Sequence, residues 1–196
     1  MRIISGTAKG RKILSPQNEG KITKKGELMA TRPTLDRVKV SMFDILSHKV
    51  YGAQVLDMFA GTGSLGLECA SRGAKRVVFV EKLKETFGIL QKNVELLGFS
   101  NISTLHQRDS YELTRSLGAK REKFDIIFVD PPYLNHMVEE SVRLIEKYDL
   151  LKDTGVIVSK YDKSEPIYKP EERYELVDER KYGNTILGFY QVRIEE

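Results

Sequence analysis

The chain has 196 residues, 40% hydrophobic and 31% charged, with a formal net charge of +4 and one cysteine, Cys69. That is enough apolar chain to bury a core without staples, while a lone cysteine excludes an internal disulfide and fits a reducing, cytoplasmic setting. No window reaches the ~20 apolar residues of a membrane span, and the start, MRIISGTAKGRK, lacks the apolar centre of a secretory signal.

The charge is unevenly spread. Residues 1–50 hold 11 Lys or Arg against 4 Asp or Glu, a balance of +7, which leaves −3 for residues 51–196. Such asymmetry points to a polyanionic partner, although a solvated surface accounts for it equally well on charge alone. Residues 2–14 read as a short basic β-hairpin, with Ile3, Ile4, Ile13 and Leu14 apolar and Gly6 and Gly10 near the turn, followed by loop over 15–33. We divide the chain here, with 1–33 an appendage and 34–196 the main domain. In TRPTLDRVKVSMFDIL, Leu35, Val38, Met42 and Leu46 recur at helical spacing behind a possible Thr34 cap, with Arg37 and Lys39 on a basic flank.

From Gln54 onward, short apolar runs alternate with amphipathic ones. The pattern predicts strands at 54–58, 76–81, 102–106, 124–130 and 155–159, and helices at 64–72, 83–97, 110–117 and 136–149. The tail predicts an antiparallel hairpin, Tyr174 to Lys181 and Thr185 to Ile194, turning at Tyr-Gly-Asn. The fold class is therefore α/β, a mostly parallel seven-stranded sheet with helices on both faces.

After the first strand, VLDMFAGTGSLGLECA places Gly61, Gly63 and Gly66 in the spacing G-x-G-x-x-G, with Glu81 twenty residues beyond Gly61. This satisfies the dinucleotide fingerprint, so a nicotinamide (NAD) oxidoreductase is one reading. The physics admits any adenosine-bearing ligand: glycines permit a tight turn and close approach, and an acid after the next strand accepts from ribose hydroxyls. Asp57 at the loop entrance favours a cationic ligand over a pyrophosphate, and S-adenosylmethionine, with its sulfonium and ammonium groups, fits. The sheet also consumes the chain from residue 54, leaving no second substrate domain.

The run FDIIFVDPPY ends a buried strand in an acid, two prolines and a tyrosine. Prolines lack N–H donors and have fixed φ, so this corner offers acceptors on a stiff backbone. An exocyclic base amine is a poor nucleophile until turned tetrahedral, and the Asp130 carboxylate with the Pro131 carbonyl supplies two acceptors for its two N–H groups. Tyr133 can stack on the base, which is worth about 1–3 kcal/mol. His48, His106 and His136 are too scattered for a metal triad, and Cys69, on the helix after the glycine loop, reads as a core residue.

The sequence VLDMFAGTGSLGLE, then VVFVEK, then FVDPPY, preceded by RIISGTAKGRKI and TRPTLDRVKVSMFDIL, resembles the bacterial small-subunit rRNA guanine-N2 methyltransferases along nearly the whole chain. The TRPT-x-DRV stretch is the discriminating part, because the glycine loop and DPPY are shared with many amino-methylating enzymes. The resemblance implies a Rossmann-like class I methyltransferase that uses S-adenosylmethionine on N2 of one guanine of 16S rRNA, within the small subunit or its assembly intermediate, as a monomer without metal. It implies that Asp57, Gly61 and Gly63 hold the methionine part, Glu81 the ribose, and Asp109 with Ser110 the adenine, with Phe59, Ala60, Thr62 and Lys82 beside them in the cofactor site. Asp130, Pro131, Pro132 and Tyr133 match the catalytic motif, and Arg32, Thr34 and Arg37 the pre-helix motif. Arg2, Lys9, Arg11, Lys12, Arg32 and Arg37 are then candidates to hold RNA. After the fifth strand related chains often carry an acid where this one has Ser159-Lys160, and Lys160 is assigned to RNA phosphate. A DNA adenine or cytosine amino-methyltransferase remains the alternative, weakened by the lack of a sequence-reading domain.

Overall fold

The structure, a computed structural model, describes residues 1–16, 32–132, 137–170 and 172–194, with the backbone alone for 32–36. Its elements run α1 (Arg32–Ile45), β1 (Gln54–Asp57), α2 (Ser64–Ser71), β2 (Arg76–Val80), α3 (Lys84–Leu97), β3 (Ser103–His106), α4 (Ser110–Ala119), β4 (Phe124–Val129), α5 (Met137–Lys147), β5 (Leu151–Asp162), β6 (Tyr174–Tyr182) and β7 (Thr185–Val192). One sheet joins all seven strands in the order β3-β2-β1-β4-β5-β7-β6. The pairs from β3 to β5 are parallel, and β7 enters antiparallel to both β5 and β6. The order reverses between β1 and β4, and crevices for ligands form at such a switch, outside the carboxyl ends of the strands.

Both faces of the central strands are covered, which is why β2 and β4 read as nearly continuous apolar runs. On one face Val55, Val77, Phe79, Ile126 and Phe128 pack with α1, α2 and α3 through Met42, Leu67 and Leu90. On the other, Leu56, Val78, Ile127 and Ile157 pack with α4 and α5 through Leu113 and Val142. The alternation of neighbouring residues between the two clusters is the period of two that a strand imposes. Cys69 is buried, as expected of a core thiol, and burial pushes its pKa up.

The basic hairpin exists as a single antiparallel bridge, Arg2 to Lys12. Its apolar residues Ile3, Ala8 and Ile13 join the same buried cluster as α1, α2 and α3. The hairpin is held down by Glu68 of α2, whose carboxylate accepts from the Ile4 and Ser5 N–H groups at 2.9 Å each, while Thr7 N donates to Ser71 O at 2.8 Å. Glu68 is completely buried and ion-paired with Lys39 at 3.0 Å and Arg72 at 2.9 Å. Lys39 is thus not on a solvated flank: it is 6% exposed, and its Nζ also donates to Arg2 O and Ser64 Oγ. Burial alone would raise the Glu68 pKa, but Lys39, the Ile4 N–H and Arg72 outweigh it and hold the pKa low.

The strand expected at 155–159 is longer, starting at Leu151. Phe124 pairs with Leu151 before a register shift, and Asp125 anchors the irregular stretch by accepting from Gln54 N and Lys152 Nζ, both at 2.8 Å. Lys-Asp-Thr-Gly resembles a turn in sequence, and it fills the register shift between the Phe124–Leu151 and Ile126–Val156 pairs.

Candidate active site

The loop after β1 is a turn built from beneath. Gly61 and Gly63 adopt φ of +55° and +92°, a region that side chains rarely tolerate. At Gly66 the demand is for space: a Cβ there would lie 2.2 Å from the Phe79 ring, so the glycine lets α2 pack directly on β2. Asp57, only 1% exposed, accepts from the Gly66 N–H at 3.0 Å and so ties the end of β1 to the start of α2. Burial pushes its carboxyl up to about 7. The Gly66 N–H opposes this, Asp130 and Glu81 add to it, and Lys160 opposes it.

Glu81, just past β2, accepts from the Gly61 N–H at 3.0 Å and from the Leu83 N–H at 2.7 Å. The fingerprint acid is therefore also part of the turn's scaffold. Beyond β3, Asp109 caps α4 by accepting from Tyr111 N at 2.9 Å and Glu112 N at 3.4 Å, and it pairs with Lys82 at 3.2 Å. Burial pushes the Asp109 pKa up, but the Lys82 contact and the two N–H groups hold it below the usual carboxylate range. Ser110 donates to Met58 O, which ties α4 to the glycine turn.

These groups meet in a cleft of about 480 Å³, within the size range of small-molecule sites. One wall is Glu81, Lys82, Asp109 and Ser110; the opposite wall is Asp130, Pro131, Pro132 and Lys160, with Phe59 and Gly61 between. A second cavity of about 300 Å³ continues past Ala60 and Thr62 to Met1, Lys39 and Thr185. The two share Phe59, Gly61, Asp130 and Lys160. Asp130 follows the last residue of β4, and Lys160 of β5 reaches its carboxylate at 2.6 Å.

The structure thus gathers Phe59, Gly61, Glu81, Lys82, Asp109, Ser110, Asp130, Pro131 and Pro132 on one cleft, with Ala60 and Thr62 lining the adjoining cavity. Asp57 lies beneath the loop and lines neither cavity. Tyr133 lies outside the described residues, as do the side chains of Arg32 and Thr34. Lys160, expected to meet phosphate, is inside the cleft on Asp130. Arg2, Lys9, Arg11, Lys12 and Arg37 are exposed, and Arg11 donates to Leu96 O at the end of α3. Sequence reasoning missed Lys39 as a cavity residue; its position four after Leu35 and three before Met42, inside the apolar stripe, was the available signal. Among the described residues no group of three or more His, Cys, Asp or Glu is placed to hold a metal, and no helix is long and apolar enough to cross a membrane.

A sheet of this order, with a glycine turn after β1, an acid after β2 and Asp-Pro-Pro after β4, defines a Rossmann-like class I methyltransferase. Residues 1–191 match the family described as Conserved hypothetical protein 95, and the chain belongs to that family. It is 32% identical over 192 residues to Ribosomal RNA small subunit methyltransferase D of Haemophilus influenzae, covering 97% of this chain and 93% of that one. The Escherichia coli protein of the same name is 30% identical over 191 residues, covering 97% and 89%. The solved structure of Escherichia coli yhhF superposes with a TM-score of 0.83 at 27% identity, covering 100% of this chain and 99% of that one.

Proposed function

We propose that the protein is an S-adenosylmethionine-dependent rRNA methyltransferase acting on the exocyclic N2 of a guanine in 16S rRNA of the small ribosomal subunit. The observation that carries the reading is the convergence of the Gly61 turn, Glu81 and Asp130-Pro131-Pro132 on one cleft at the β1/β4 switch. The rRNA substrate is supported by relatives of about 30% identity that bear small-subunit rRNA methyltransferase names and span nearly the whole chain.

The residues fit the cofactor. Glu81, already oriented by two backbone N–H groups, keeps lone pairs for ribose hydroxyls, and Asp109 and Ser110 close the adenine end. The Gly61 turn, where an added Cβ would meet nothing within 4 Å, leaves room for close approach. Asp57 contributes from below as a buried carboxyl that shapes the turn by accepting from the Gly66 N–H. When bound, S-adenosylmethionine supplies an activated methyl on a sulfonium that departs as a neutral thioether.

The chain's own work is orientation. The Asp130 carboxylate and the Pro131 carbonyl accept the two N–H groups of the amine, localising its lone pair, and Tyr133 stacks on the base. Holding reacting atoms ~3–3.5 Å apart can supply much of the acceleration. The methylated nitrogen is cationic and acidic, so its proton passes to Asp130 or water without a separate strong base. Arg2 and Lys12, directly opposite each other in the hairpin bridge, form a like-charged pair that is unfavourable alone and is relieved by phosphate.

The test is tritiated methyl transfer to small-subunit particles lacking this modification, followed by mass spectrometry of nucleosides. N2-methylguanosine is the expected product, and Asp130→Ala lowers the rate at least about 100-fold while calorimetry still registers cofactor binding. A different methylated nucleoside would remove the guanine-N2 assignment, and NAD binding in place of S-adenosylmethionine would remove the whole reading.

A further inference from the structure

Lys160 occupies the catalytic cleft on a rigid mount. The register pairs Val129 with Ser159 across β4 and β5, so Asp130, just past β4, and Lys160, still within β5, stand side by side, and Lys160 is paired on its other side with Leu187 of β7. Its Nζ lies 2.6 Å from both oxygens of Asp130. The lysine side chain is only 13% exposed, and it lines both cavities.

We propose that Lys160 reads the ring atom next to the target amine, accepting only a hydrogen-bond acceptor there, and thereby fixes which edge of the base faces Asp130. This rests on the amine-methylating reading above. A base amine that docks on Asp130 brings its ring neighbours within reach of the ammonium, which has three donors and no acceptor. In guanine, N2 stands between N1–H and N3. Turning N1–H toward Lys160 sets donor against donor, whereas turning N3 toward it makes a charge-assisted hydrogen bond. Guanine therefore enters with N3 on the β5 side and N1–H on the far side. An acid in place of Lys160 would reverse that orientation, because it would accept from N1–H. The carboxylate's remaining lone pairs stay available to the amine while Lys160 keeps hold of it.

The experiment compares small-subunit particles whose RNA carries guanosine or 3-deazaguanosine at the methylated position, the analogue replacing N3 by a C–H. Wild-type kcat/KM falls roughly 10- to 100-fold on the analogue, the cost of losing a hydrogen bond to a charged group. Lys160→Met loses a similar factor on guanosine but nothing further on 3-deazaguanosine, and Lys160→Arg retains sensitivity to the analogue. Calorimetry with S-adenosylhomocysteine shows that Lys160→Met still binds the cofactor, and a thermal melt reports that the variant is folded. Equal methylation of both particles by the wild type, or an equal analogue penalty in Lys160→Met, overturns the proposal. Should Lys160→Met not fold, Lys160→Arg carries the comparison, and equal methylation of both particles by the wild type still overturns the proposal. Failure of the wild type on guanosine particles is a distinct result that removes the underlying reading and this proposal with it.

Discussion

Asp57 shows how one buried side chain links the glycine turn to solvent pH. Its carboxyl, pushed up to about 7 chiefly by burial, titrates near 4 in an unfolded chain. Between those values the folded protein binds more protons than the unfolded one, so the contribution of Asp57 to stability is full below about pH 4 and is lost as pH rises through 7. Asp57→Asn keeps an acceptor for the Gly66 N–H and removes the titration. Urea unfolding at pH 5 and pH 8 should show a smaller drop in stability for the variant than for wild type, and an equal drop would mean that Asp57 ionises freely in the fold. At this scale the sequence identified most of the cleft. Gly61, Glu81 and Asp130 could be placed because spacing along the chain maps onto strand ends, and Asp109 through the family resemblance. What it missed were the charges whose partners are distant in sequence: Lys39 with Glu68, and Lys160 with Asp130, 30 residues away.

Among the elements, α2 ties the hairpin and α1 to the sheet through one buried carboxylate. Its Glu68 binds the hairpin through Ile4 and Ser5, α1 through Lys39, and Arg72, the residue that caps the end of α2. Removing one partner of a buried ion pair strands the other, typically at a cost of about 3–5 kcal/mol. Glu68→Ala should lose that much in urea unfolding, and a loss below about 1 kcal/mol would show that water reaches Lys39. The parallel strands and their crossover helices were legible because the central strands, buried on both faces, are apolar runs separated by amphipathic ones. The docking of the hairpin was not, since Ile3, Ala8 and Ile13 carry no periodic signal in so short a segment, and their burial depends on α2. The early start of β5 was hidden for a similar reason, being fixed by Asp125 rather than by local propensity.

Over the whole molecule, charge and cleft lie close together. Exposed Arg2, Lys9 and Lys12 sit in the segment whose Met1 lines the second cavity, so RNA held there lies near Asp130. Binding to small-subunit RNA should weaken linearly in log affinity with log salt, at a slope of about −0.7 to −0.9 per phosphate neutralised. The double variant Arg2→Gln, Lys12→Gln should make that slope shallower by about 1 to 2 in filter binding across a salt series. An unchanged slope would place the RNA elsewhere.

The sheet order has a bearing on biosynthesis. β7 is the last of the seven strands to be made, yet it lies between β5 and β6 and pairs with both. Until it leaves the exit tunnel, the twelve-residue β5 has an open edge and β6 has no neighbour in the sheet, the kind of surface on which nascent chains associate. Lys160 gains its second flank from the same late strand. β7 must therefore be seated before the Asp130–Lys160 corner acquires its final framing.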